Sequence, residues 1–164
     1  MSLEVVAIGR INIDIVMQVD KLPVSSEHVI SKSSHFAYGG SAANFAAQSA
    51  RLGVKTGLIS CVGDDPYGQM ALKNLSKKGV DIKGILVLEN QPTGVFFIAK
   101  DPQNNRAIFA EPGANRFIEK HILDESYLSR TRTLHIAGGF PMMTQRAIEF
   151  ATQNGMILSF DPGR

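Results

Sequence analysis

Glu4-Val5-Val6-Ala7-Ile8-Gly9 runs straight into Arg10-Ile11-Asn12-Ile13-Asp14, and the change of pattern between the two stretches decides the fold. The first is a short, largely β-branched apolar run bounded by glycine, as expected of a strand buried on both faces. The second alternates, with Ile11 and Ile13 interleaved between Asn12 and Asp14, the period of a half-exposed strand.

Working outward, the buried type of run recurs at Gly57 to Val62, Thr133 to Ala137 and Met156 to Phe160. Helical stretches lie between these runs: Ala43 to Leu52 stopped by Gly53, Tyr67 to Lys78 stopped by Gly79, and Met142 to Asn154 stopped by Gly155. A parallel crossover needs a helix-length connection, so this alternation predicts an α/β fold with a doubly wound, mainly parallel sheet. The half-exposed type recurs too. Ile11 to Val19 and Glu27 to Phe36 form one pair, and Val95 to Lys100 and Arg106 to Ala110, joined by Asp101-Pro102-Gln103-Asn104-Asn105, form a clear hairpin. These read as antiparallel strands reaching out of the core, over approximately 11–37 and 94–111, to form a small β-sheet lid; a β-extension that only mediates dimerisation is the alternative. Phe96, Ile98, Ile108 and Phe109 are the side chains expected to be exposed there, and they predict a homodimer through the lid. Asp161-Pro162-Gly163-Arg164 follows an apolar strand with a loop opener. A sheet of so few strands leaves a face uncovered, so a further C-terminal portion is expected, with 1–164 the N-terminal part of one domain.

Composition narrows the function. The 164 residues are 44% hydrophobic and 20% charged, enough for one ordinary core. The formal net charge of +2 is dispersed, with no basic run longer than Lys77-Lys78, which argues against a nucleic-acid partner. No apolar stretch approaches the roughly 20 residues of a membrane span, and no signal-peptide pattern opens the chain, so a cytoplasmic protein is expected. The single cysteine, Cys61, lies inside an apolar run and reads as a buried structural thiol.

Two constellations carry candidate chemistry. Asn12 and Asp14, two apart at the carboxyl end of the first strand, point the same way and pair an amide with a carboxylate, which suits vicinal hydroxyls. A turn in which both satisfy local backbone groups fits the spacing equally well. In Tyr38-Gly39-Gly40-Ser41-Ala42-Ala43-Asn44, glycines lead into a helix start where backbone N–H groups and Asn44 can meet oxygen ligands; a plain glycine turn into a helix fits as well. Asp64 and Asp65, though adjacent carboxylates, diverge as loop neighbours and are excluded from the site, and no metal ligands are assigned.

Taken in order, these residues resemble the ribokinase (PfkB-type) family of carbohydrate and nucleoside kinases. Gly9 to Asp14 resembles its first-strand motif and Gly39 to Asn44 its di-glycine signature. Val62-Gly63-Asp64-Asp65-Pro66-Tyr67-Gly68 resembles its G-x-D-x-x-G loop, Pro92-Thr93-Gly94-Val95 its lid-strand entry and Gly113-Ala114-Asn115 the loop after the lid hairpin. The resemblance implies transfer of the γ-phosphoryl group of ATP, with Mg²⁺, to a hydroxymethyl group of a sugar or nucleoside. It implies that Asn12, Asp14, Gly40 and Asn44 hold substrate hydroxyls, with Gly39 and Ser41 shaping the loop. The family's late G-A-G-D motif, which carries the catalytic aspartate, and its N-x-x-E segment do not occur in these 164 residues. No catalytic residue is therefore expected in this chain, and alone it should bind rather than catalyse. A non-catalytic sugar- or nucleoside-binding module is the rival reading. Ribokinases carry a sugar-binding glutamate in the segment matched by Ile136 to Pro141, where this sequence has Gly139, which argues against ribose. His135-Ile136-Ala137 and Ser159 to Arg164 look closer to archaeal nucleoside-kinase-like members. Arg164 reads as an exposed loop residue, the alternative being a partner for a sugar-acid carboxylate such as that of ketodeoxygluconate.

Overall fold

A computed structural model describes residues 2–120, 123–129 and 131–163 of the chain. The strands are β1 (Val5–Gly9), β2 (Asn12–Gln18), β3 (Ser33–Gly39), β4 (Thr56–Gly63), β5 (Ile85–Leu88), β6 (Gly94–Lys100), β7 (Arg106–Glu111), β8 (Thr133–Ala137) and β9 (Ile157–Asp161). The α-helices are α1 (Ser41–Arg51), α2 (Pro66–Lys77), α3 (Glu125–Leu128) and α4 (Pro141–Gln153), and a 3₁₀ helix covers Gly113–Lys120.

One sheet, ordered β5-β4-β1-β8-β9, is parallel throughout. Its pleat sends successive side chains to opposite faces. Ala7, Leu58 and Val62 pack with Ala42, Ala43, Ala46 and Ala47 of α1 and with Ala71 and Leu75 of α2. Val6, Ile8, Ile59 and Ile136 pack on the other face with Met143, Ala147 and Ala151 of α4, Ile118 of the 3₁₀ helix and Leu128 of α3. The small residues of α1 recur on one helical face and let that helix lie close to the sheet. Each fully buried Ile or Leu contributes about 1.5–3 kcal/mol by leaving water. The expected doubly wound α/β core is therefore present. Cys61 belongs to it, its thiol pushed up to about 11 by burial. No helix among the described residues is long and apolar enough to cross a membrane.

A second sheet, ordered β3-β2-β6-β7, stands apart from the first. Its outer pairs are antiparallel, but its central pair, β2 with β6, is parallel. This corrects the expectation of antiparallel strands alone: two hairpins leave the core in the same direction and meet through their first strands. The strand expected over Glu27 to Phe36 is displaced to Ser33–Gly39. Register explains the shift, since β2 offers seven residues and pairs them from Asn12 with Gly39 to Gln18 with Ser33. Glu27 instead closes a local turn, its carboxylate accepting from the Val24 N–H and pairing with Lys21. Exposure on this sheet is also differently distributed than expected. Phe36, Ile15, Phe97 and Phe109 lie across the sheet in one row, with the three phenylalanines exposed, as is Ile108, whereas Phe96 turns to the other face and Ile98 is half-buried.

Candidate functional site

The first sheet hands the chain to the second between β1 and β2, and the candidate site lies at that transfer. A cleft of about 540 Å³ opens there, lined by Arg10, Asn12 and Asp14 before and within β2, Gly40 and Ser41 at the start of α1, and Phe96 on β6. Gly138 and Gly139 after β8 and Pro162 and Gly163 after β9 complete it. These are the carboxyl ends of β1, β8 and β9, where open α/β sheets bind their ligands, and the volume is in the range of small-molecule sites.

Asn12 is buried, and its side-chain oxygen accepts from the Asn115 amide at 3.0 Å. That bond takes one of the oxygen's two lone pairs, and Asn12 can offer a ligand its amide hydrogens. Asp14 is the complementary case. Its Oδ1 is buried without a hydrogen-bond partner, and burial raises the carboxyl above its ordinary range. A buried acceptor without a donor costs free energy, so this oxygen is suited to a hydroxyl brought by a ligand.

Backbone shape maintains the arrangement. A Cβ at Gly39 would stand 2.5 Å from both carboxylate oxygens of Asp14, so the glycine makes room for that side chain. Gly40 adopts φ +95°, and a Cβ there would run into the Arg10 carbonyl. No side chain caps α1; the Ala43 N–H donates to the Arg10 carbonyl, and Ser41, on the cleft, has its hydroxyl 3.5 Å from the Ala137 carbonyl. Of the expected residues, Asn12, Asp14, Gly40 and Ser41 therefore meet on one cleft. Gly39 sits behind Asp14. Asn44 is exposed and lines an adjoining narrow hollow with Gly39, Tyr38 and Lys78, a hollow that shares only Asn12 with the cleft. Arg164 lies outside the described residues.

Three residues that the sequence motifs did not assign to the site belong to its surroundings. Arg10 lines the cleft, its guanidinium 5.1 Å from the centre of the Phe140 ring. Phe96 lines it because it lies opposite Asp14 in the β2–β6 register. Asn115, 3% exposed, accepts from the Ile11 N–H and donates to the Ile11 carbonyl, Asn12 and the Pro112 carbonyl. It is the group that orients Asn12, and its place in Gly113-Ala114-Asn115 was the signal available beforehand.

Asp64 and Asp65 stand away from this cleft, lining a separate surface hollow with Glu89 and Gln91. Asp65 caps α2, accepting from the Gly68 N–H, the Thr93 N–H and the Thr93 hydroxyl, each at 2.7 Å. Burial acts to raise its carboxyl, but these hydrogen bonds together outweigh it and hold the group below the ordinary range.

An open parallel sheet with a polar cleft at its carboxyl ends, bordered by a second sheet, defines the class of protein. Residues 2–162 match the pfkB family carbohydrate kinases, and the chain belongs to that family. It is 33% identical over 160 residues to an ATP-dependent ribose-1-phosphate kinase of Halopiger xanaduensis, covering 98% of this chain and 54% of that protein. It is 30% identical over 161 residues to a nucleoside kinase of Methanothermobacter thermautotrophicus, covering 98% and 52%. Among solved structures, the nucleoside kinase of Methanocaldococcus jannaschii, an archaeal member of the ribokinase family, superposes with a TM-score of 0.83 at 31% identity, covering 99% of this chain and 54% of that one. A ribokinase of Thermotoga maritima gives 0.83 at 30%, covering 98% and 52%. The chain spans about half the length of the curated relatives it matches.

Proposed function

We propose that this chain supplies the substrate-binding face and lid of an enzyme that transfers the γ-phosphoryl group of ATP to a hydroxymethyl group of a sugar or nucleoside. The observation that carries the reading is the orphaned, buried Oδ1 of Asp14 beside the amide of Asn12 on one cleft. A carboxylate accepts from one hydroxyl while the amide donates to its neighbour, the pairing that vicinal diols need. Gly40 and Ser41 add backbone and hydroxyl donors, and the second sheet, extending from β2 and β6, acts as the lid that excludes water over the bound acceptor. The family name and the kinase names of the relatives support the phosphoryl-transfer chemistry. A cytoplasmic location is part of this proposal.

Among the described residues no group of three His, Cys, Asp or Glu side chains gathers that could hold a metal ion, so Mg²⁺ is assigned to no residue here. The catalytic base is likewise assigned to none, and the chain by itself is proposed to bind without transferring phosphate. Sequence beyond residue 164 decides between this enzyme and a free-standing binding module: a downstream G-A-G-D motif supports the first, a stop codon the second.

Calorimetric titration with candidate sugars and nucleosides tests the site directly. Asp14→Ala should weaken binding of the best ligand by up to about a hundredfold, the equivalent of roughly 1–3 kcal/mol, with the fold retained. Unchanged affinity would remove Asp14 from the site. The exposed row of Phe36, Phe97 and Phe109 supports a homodimer through the lid, which light scattering at micromolar concentration checks; a monomer mass would refute it.

A further inference from the structure

Ile11 stands where the chain crosses between the two sheets, and neither ladder pairs it: the β1 registers end by Gly9 and the β2 registers begin at Asn12. The side chain of Asn115 takes the place of a neighbouring strand. Its oxygen accepts from the Ile11 N–H at 3.1 Å, and its amide nitrogen lies 2.9 Å from the Ile11 carbonyl, 3.0 Å from the Pro112 carbonyl and 3.0 Å from Oδ1 of Asn12. These backbone groups fix which way the amide faces. A backbone N–H only donates and a carbonyl only accepts, so Asn115 turned over would set donor against donor and acceptor against acceptors. Asn12 must then turn its oxygen to the Asn115 nitrogen. Its own nitrogen, which donates to no protein group among the described residues, is left for the cleft that Asn12 lines. The polarity that Asn12 offers a ligand is thus set from behind, by a residue 3% exposed that does not line the cleft.

The same amide ties that polarity to the second sheet. Pro112 follows β7, and its carbonyl accepts from both the backbone N–H and the side-chain amide of Asn115. Gly94 opens β6 opposite Asn12, and a Cβ there would stand 2.3 Å from Nδ2 of Asn115 and 2.8 Å from Oδ1 of Asn12. The entry to β6 and the exit from β7 therefore meet at the bond between Asn12 and Asn115. We propose that Asn115 is a positioning residue for the acceptor: through Asn12 it aims a pair of amide hydrogens at the cleft, and it couples that aim to the root of the β6–β7 hairpin. The proposal rests on the sugar or nucleoside kinase reading above. Asn115 reaches the acceptor only through Asn12, so its loss should fall on acceptor binding and should disappear once Asn12 is gone.

The test uses the protein at its full natural length, with ribose, fructose and adenosine as probe acceptors, titrated calorimetrically at a temperature where circular dichroism shows each variant folded. A double-mutant cycle reads the coupling. For the probe that wild type binds most tightly, Asn12→Ala and Asn115→Ala should each weaken binding about tenfold, and the double variant should be no more than about threefold weaker than either. Gly94→Ala keeps the Asn115 side chain but displaces it from Asn12; it should reproduce the loss, and it carries the test should Asn115→Ala fail to fold. In steady-state assays the rise should fall on KM for the acceptor, with KM for ATP unchanged. Losses that multiply, to about a hundredfold in the double variant, would mean that the two residues act independently and would overturn the proposal. So would wild-type affinity in Gly94→Ala. An Asn12→Ala variant that binds like wild type would also overturn it while leaving Asp14 and the kinase reading in place. Binding without transfer from ATP to any probe would overturn the kinase reading and leave the coupling to be judged by the cycle; absence of binding to all three would overturn both.

Discussion

The junction where β2 and β3 meet α1 and the corner between β4 and α2 each hold an aspartate near a glycine, and the two are treated in opposite ways. Asp65 has its carboxylate filled by Gly68 and Thr93, and its folded pKa is depressed. Asp14 keeps a buried oxygen without a partner, and its folded pKa is raised. A linear reading places Asp14 in the candidate site and excludes Asp65 as a loop residue. Hydrogen bonding separates them: a satisfied carboxylate holds two segments together, whereas an unsatisfied one carries an uncompensated desolvation cost.

The contrast breaks most severely at Asn115, which fixes the chain just before Asp14. Asn115→Ala removes the acceptor of the Ile11 N–H and two amide hydrogens shared among the Ile11 carbonyl, Asn12 and the Pro112 carbonyl, and should cost about 2–4 kcal/mol, read as a lower urea midpoint at unchanged slope. Retention of wild-type stability would mean that water replaces the amide and that Asn12 needs no such support.

A smaller effect sharpens the contrast from the Asp65 side. Asp65→Ala loses a helix cap and a partner for Thr93, an expected loss of about 2 kcal/mol at neutral pH. Because the folded pKa lies below the unfolded one, the stability that ionised Asp65 contributes is present above the ordinary carboxylate range. It disappears as pH falls through the depressed folded value. The difference in stability between wild type and Asp65→Asn should therefore narrow on acidification; a gap constant down to pH 2 would contradict the assignment.

The smallest change is expected at Asp14, and it has the opposite sign. A raised folded pKa means that ionisation at neutral pH opposes folding and that protonation on acidification relieves it. Asp14→Asn should melt no lower than wild type at pH 7 while still binding acceptor more weakly. A clear drop in melting temperature by calorimetry would place Asp14 with Asp65 as a structural group.

Much of the architecture was legible because local signals sufficed. The apolar runs at β1, β4, β8 and β9 lie within one or two residues of their expected bounds. Helices α1, α2 and α4 stop before Gly53, Gly79 and Gly155, which take positive φ values of 88°, 82° and 62°. Strand β5 was not anticipated: its four residues are an edge, with Leu86 and Val87 exposed, too short to carry a period. The 3₁₀ helix and the four-residue α3 were missed for the same lack of periodicity.

By itself, then, the sequence determined where the chain is buried on two faces, where on one, and that Asn12 and Asp14 share a side, because a strand's period of two is a local property. Only the tertiary structure decided that β2 pairs in parallel with β6, that Phe96 and Arg10 join Asp14 on the cleft, and that Asn44 lines a neighbouring hollow. It also decided which aspartate is satisfied. Thr93 lies 28 residues from Asp65 and Asn115 lies 103 from Asn12, and no local pattern encodes such partners. They meet because burying the two faces of the parallel sheet brings their segments together.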